Sequence, residues 1–127
     1  MCRKSYGGSE MAQQEMEFDK EIVKRLMLKY LIYFPEDYSS SPNKKWPLVL
    51  YLHGAGERGE NLEHVKWNGI PKLAENEPDF QFVALSPLCP DDSSWETHFE
   101  ALDMLLREVQ EKYSIDERKV YVFIYFP

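Results

Sequence analysis

Three short apolar runs, none carrying a charge, constrain this chain more than any other feature: Leu48-Val49-Leu50-Tyr51-Leu52, Phe80-Gln81-Phe82-Val83-Ala84-Leu85 and Val120-Tyr121-Val122-Phe123-Ile124-Tyr125-Phe126. A strand half-exposed to water alternates apolar and polar residues, whereas a strand covered on both faces of a parallel sheet reads as a continuous apolar run. Between the second and third runs, Phe99, Leu102, Leu105, Leu106, Val109 and Tyr113 recur at helical spacing, and Arg107, Glu108, Glu111 and Lys112 supply the wet face. This predicts an amphipathic crossover helix over Glu96 to Tyr113. A shorter helix is expected from Ile70 to Glu77, where Pro71 suits a first turn. Strand, helix, strand, helix, strand implies an α/β domain with a parallel sheet.

Upstream, Leu26, Leu28, Tyr30, Ile32 and Phe34 alternate with Met27, Lys29, Leu31 and Tyr33, so Glu17 to Phe34 reads as an entry strand or hairpin. Turn formers from Pro35 to Asn43 then break the pattern. Residues 1–16 are expected to be a disordered tail and residues 17–127 one domain unit. With 43% hydrophobic and 29% charged residues the chain has the balance of a soluble globular protein, and its formal charge of -7 offers no footprint for nucleic acid or an anionic membrane. The polar start, Met1 to Glu15, holds no apolar signal segment, and no stretch is apolar enough to span a bilayer. Cys2 and Cys89 make no disulfide framework, so a reducing, cytoplasmic setting is expected. Nothing in the sequence calls for a cofactor.

Directly after the first run comes His53-Gly54-Ala55-Gly56-Glu57-Arg58-Gly59. Ligands in open parallel sheets bind beyond the carboxyl ends of the strands, which is where this loop falls. Its glycines let backbone amides approach a substrate, and two N–H groups aimed at one developing negative oxygen contribute on the order of 3 kcal/mol each. A rival reading is the dinucleotide fingerprint Gly54-x-Gly56-x-x-Gly59. Against it, Glu57 and Glu60 would repel a pyrophosphate, the strand is not the first of the domain, and Ser86-Pro87 stands where a ribose-binding acid is expected. His53, Glu57, Glu60 and His64 have the residue types of a metal site without helical spacing to hold them together, and they read as solvated loop charges. Ser86 lacks glycine flanks and reads as a strand-end serine. Cys89 reads as a small buried hydrophobe, and Trp67 and Trp95 as core or loop anchors that could also wall a cleft.

Several segments in order resemble the α/β-hydrolase fold, and within it the carboxylesterase, phospholipase-like and prolyl-oligopeptidase-like serine hydrolases related to dienelactone hydrolase. They are Tyr30-Leu31-Ile32-Tyr33-Phe34-Pro35-Glu36-Asp37-Tyr38, Trp46 to Gly59, Gly69-Ile70-Pro71-Lys72, Ser86-Pro87-Leu88-Cys89-Pro90, and Tyr113-Ser114-Ile115-Asp116-Glu117-Arg118-Lys119-Val120-Tyr121-Val122. The resemblance implies a three-layer sandwich around a central, mostly parallel sheet. It implies that Gly54 and Ala55 are oxyanion-hole donors, with Gly56 as a spacer, and that His53 orients the loop without acting as catalytic base. After Val122 such proteins continue into a Gly-x-Ser-x-Gly elbow, then an acid and a histidine. Here the chain reads Phe123-Ile124-Tyr125-Phe126-Pro127, with no serine after Ser114 and no histidine after His98.

The expectation is therefore the N-terminal part of a hydrolase of carboxylic esters or peptides, truncated after the strand that precedes the elbow and inactive alone. The alternatives are a non-enzymatic interaction module pairing through an open sheet edge, and a dinucleotide-binding unit. In the first two cases the last strand offers an apolar, unpaired edge, so self-association is expected.

Overall fold

The run Leu48 to Leu52 lies inside a sheet, as its lack of charge requires. The computed structural model describes residues 12 to 125, which form β1 (Tyr30–Tyr33), β2 (Trp46–Leu52), α1 (Gly69–Asn76), β3 (Val83–Pro87), α2 (Phe99–Lys112) and β4 (Ile115–Ile124). The sheet order is β1-β3-β2-β4, with β2 parallel to both β3 and β4 and β1 antiparallel to β3. The expected mixed α/β fold with a mostly parallel sheet is present.

Trp46, Leu48, Leu50 and Leu52 of β2 join Val83 and Leu85 of β3 in a core closed by Leu102 and Val109 of α2. Each such side chain contributes roughly 1.5–3 kcal/mol over leaving it in water. Leu28, Tyr30, Ile32 and Phe34 pack against this same core, so the period-two reading of that stretch holds where there is something to pack on. Tyr51 points away from it, toward the start of α1, where Gly69 has φ +65° and a Cβ would overlap the Tyr51 ring and hydroxyl. The loop after Phe34 is pinned by Tyr38, whose hydroxyl oxygen accepts the Ser114 N–H at 3.1 Å.

The helices and β2 shift by one to three residues from expectation, α2 beginning at Phe99 and not Glu96, and the other three strands also differ. Only Tyr30–Tyr33 of the Glu17 to Phe34 stretch is a strand; residues 12–29 have no regular structure, and Phe18 and Val23 are 86% and 91% exposed. A strand exists only where a ladder partner exists, and the register with β3 runs from Tyr30↔Pro87 to Tyr33↔Ala84. Residues 12–16 of the expected tail are exposed, and residues 1–11, with Cys2, lie outside the described residues. Next, β3 begins at Val83 because Phe80 closes a turn through its N–H to Glu77 O at 3.1 Å. Its ring instead packs edge-on against Tyr33, centroids 5.7 Å apart. Lastly, β4 begins at Ile115, paired with Trp46, and the register breaks before Val120 pairs with Leu48. Within the break Asp116 Oδ1 accepts the Arg118 N–H at 3.1 Å, which lets a charged turn interrupt the strand. Phe126, the expected last strand residue, lies outside the described residues.

The outer edge of β4 has no strand partner among the described residues. Tyr121, Val122, Phe123 and Ile124, which alternate between its two faces, are all 45% or more exposed.

Candidate functional site

β2 ends at Leu52, and the glycine loop begins at once. Gly54 leads into a 3-10 turn over Ala55–Glu57, closed by Glu57 N–H to Gly54 O at 3.3 Å and Arg58 N–H to Ala55 O at 3.4 Å. The first amides of such a turn have no partner within it. Among the described residues, the N–H groups of Gly54, Ala55 and Gly56 find no acceptor elsewhere either. Gly59, at φ +142°, then lets the chain double back so that its N–H reaches Cys89 O at 3.1 Å.

His53 fixes this loop in place. Its Nε2 accepts the Cys89 N–H at 2.9 Å, so the ring proton resides on Nδ1 and is donated to Gly54 O at 2.6 Å. Both ring nitrogens are engaged by backbone, and the side chain is buried. Burial holds the imidazole below its ordinary 6.5, with Arg58 adding to the effect and the Gly54 bond and Glu57 opposing it. The ring is therefore neutral at pH 7, so the Glu57 Oε2 found 3.7 Å from Nδ1 is not half of an ion pair; it is buried and accepts no hydrogen bond from a described residue. The Trp95 indole N–H donates to His53 O at 2.9 Å and its ring stands edge-on to the imidazole, centroids 5.0 Å apart.

Glu57 departs from expectation. It is not a solvated loop charge: it is 5% exposed, and Oε1 accepts the Asn68 Nδ2–H at 2.9 Å. The turn points it inward, where its charge, after burial itself, helps push the Tyr51 phenol up to about 12. Glu60 remains exposed, and among the described residues no three His, Cys, Asp or Glu side chains converge as a metal site would require.

A cavity of about 380 Å³ opens at the carboxyl end of β2. Leu52, Gly54 and Ala55 form one side, Trp95 and Phe99 another, and Ile124 at the end of β4 a third. Phe99, assigned to the helix core by periodicity, is instead 60% exposed and lines this cavity, because a 3-10 turn over Trp95–His98 precedes α2 and swings it outward. Such a volume, apolar with few polar groups, is that of a small-ligand site. Its polar side chains are His53, Ser94 and the two charged ones, Arg58 and Glu96. The Arg58 guanidinium donates through Nε to Ala55 O at 3.3 Å and through NH1 to Ser93 O at 2.6 Å, tying the glycine loop to the Cys89–Trp95 segment.

The remaining candidates fall elsewhere or lack machinery. Ser86 lies within β3, buried, and not beyond its end. Cys89 is buried on the cavity wall and burial pushes its thiol up, which disfavours the thiolate. Trp67 stacks on His64 with centroids 4.0 Å apart and does not line the cavity. Sequence reasoning missed one contact: Ser93 Oγ lies 2.8 Å from His98 Nε2. Ser93 is not on the cavity wall, and its hydroxyl donates to Pro90 O at 3.2 Å, which commits its proton to the backbone and leaves the oxygen free to accept from His98 Nε2–H. The glycine loop enters a three-residue turn, not the helix on which the dinucleotide fingerprint would seat a pyrophosphate.

No protein-family model matches the chain, and no curated protein matches it. Among solved structures, a thermostable esterase superposes with a TM-score of 0.57 at 29% identity, over 76% of this chain and 30% of the esterase. The fold is α/β-hydrolase-like. The chain thus spans less than a third of that esterase's length. The described residues contain no helix long and apolar enough to cross a membrane.

Proposed function

We propose that this chain is the N-terminal part of a three-layer α/β-hydrolase domain acting on carboxylic esters or peptides, and that it contributes the oxyanion loop. The observation that carries this reading is the loop itself: Gly54 and Ala55, with Gly56 between them and the turn's end, leave unbonded amides beside a cavity that the end of β4 also enters. A carbonyl oxygen seated there would receive those N–H groups as it gains charge during acyl transfer to water. His53, bonded at both nitrogens, would orient the loop and accept no proton from a nucleophile.

Attack requires a hydroxyl activated by a base and presented on a strained turn. No Gly-x-Ser-x-Gly occurs in these 127 residues, so by themselves they are proposed to turn over no ester. In the family resemblance the elbow follows β4 directly, and Ile124 already borders the cavity. Translation of the DNA beyond the codon for Pro127 in three frames tests the assignment: an elbow in one of them supports it, and none in any frame refutes it. The chain's setting is proposed to be cytoplasmic.

A second reading, a non-enzymatic module that pairs through its sheet edge, is favoured by the exposure of Tyr121, Val122, Phe123 and Ile124 on the unpartnered strand. Turnover of a chromogenic ester, blocked by a serine-directed phosphonate, would exclude it.

A further inference from the structure

Arg58 is an unusual occupant of an apolar cavity. Its guanidinium has five N–H donors, and two are spent on Ala55 O and Ser93 O. Among the described residues, no carboxylate lies within ion-pairing distance of it, although the chain is acidic overall. The two bonds to carbonyls hold the side chain in one orientation, so its remaining donors are presented without further loss of rotamer freedom. Its charge is felt at His53 and at Cys89, on two walls of the cavity. A part-buried, oriented cation without an ion-pair partner, on a mostly apolar cavity wall, calls for an anion of matching planar geometry.

We infer that Arg58 is a specificity residue for a carboxylate on the substrate, so that the cavity takes esters of dicarboxylic acids carrying one free carboxylate in preference to neutral esters. This deepens the proposed ester-site reading and rests on it. The opposing charge is Glu96 on the same cavity. Glu96 is exposed, and the neighbouring Ser94 hydroxyl and its own amide hold its carboxyl below the usual carboxylate range. Water screens it more strongly than it screens the part-buried guanidinium, so Arg58 sets the sign.

The Trp95 indole N–H signal, which reports on the cavity through its bond to His53 O, gives a direct reading. The purified chain is titrated with monomethyl succinate and, separately, dimethyl succinate, and the shift of that resonance is followed. The half-ester is expected to bind about tenfold more tightly than the diester, with the preference lost in high salt. Arg58→Gln should abolish the preference between the two ligands. Glu96→Gln, on the exposed rim, should strengthen half-ester binding alone, and it serves if Arg58→Gln fails to fold. Equal binding of the two ligands, or a preference that survives high salt, overturns the role of Arg58 while leaving the ester site standing. A Trp95 signal that neither ligand moves overturns both.

Discussion

The imidazole Nε2 of His53 accepts the backbone N–H of Cys89 at 2.9 Å across 36 positions of sequence. One ring therefore joins the end of β2 to the end of β3, and the glycine loop hangs from that joint. Replacing His53 by Ala strands the Cys89 N–H in a buried setting and leaves the Gly54 carbonyl with only its longer bond from the Glu57 N–H at 3.3 Å. An unsatisfied buried group costs about 1–3 kcal/mol. We expect His53→Ala to lower the free energy of unfolding by about 2–4 kcal/mol in urea titration; a loss below about 0.5 kcal/mol, the scatter of surface substitutions, would show that the joint is dispensable.

The same ring predicts a pH dependence. Burial lowers its folded-state value below the 6.5 of the free side chain, so the unfolded chain binds the proton more tightly. Stability from this residue is complete above 6.5 and declines as pH falls from there toward the folded-state value. Urea midpoints measured from pH 8 to pH 5 should decline in the wild type more than in His53→Gln. Parallel declines would place the acid sensitivity elsewhere.

Gly69→Ala combines two penalties: a left-handed backbone at φ +65° and a methyl group driven into Tyr51. The backbone alone costs about 1–2 kcal/mol. We expect a total of about 3 kcal/mol or more, since overpacking adds about 1–3 kcal/mol, seen as a lower urea midpoint. A loss no greater than the backbone figure would mean that Tyr51 moves aside freely.

The β4 edge should drive association. Light scattering of the purified chain at concentrations of tens of micromolar, on the order where exposed strands aggregate, is expected to show species larger than a monomer. Val122→Lys, at a site 57% exposed, should reduce association with little effect on stability. A monodisperse monomer would contradict the prediction.

Much of this was legible locally. The three charge-free runs located β2, β3 and β4; β2 and β3 are covered on both faces and have no room for a charge, whereas β4 carries the same apolar pattern with both its faces exposed. The spacing of Leu102, Leu105 and Val109 located α2. What could not be read were contacts between segments far apart in sequence. Glu57 looked like a surface charge because nothing near it signals that Asn68 waits inside. Phe99 looked like core because periodicity cannot see the 3-10 turn that rotates it toward the cavity. Arg58 and Ser93 are 35 positions apart, and no local pattern announces their bond. The Glu17 to Phe34 stretch erred the other way: its alternation is that of a strand, yet only the four residues facing β3 have a ladder to join.

The central claim is that the chain supplies amides to receive charge but no hydroxyl activated to create it. Intact-mass measurement after incubation with a fluorophosphonate tests this most directly. The account predicts an unmodified 127-residue polypeptide and no ester turnover. A stoichiometric adduct on any side chain, Ser93 included, would contradict it.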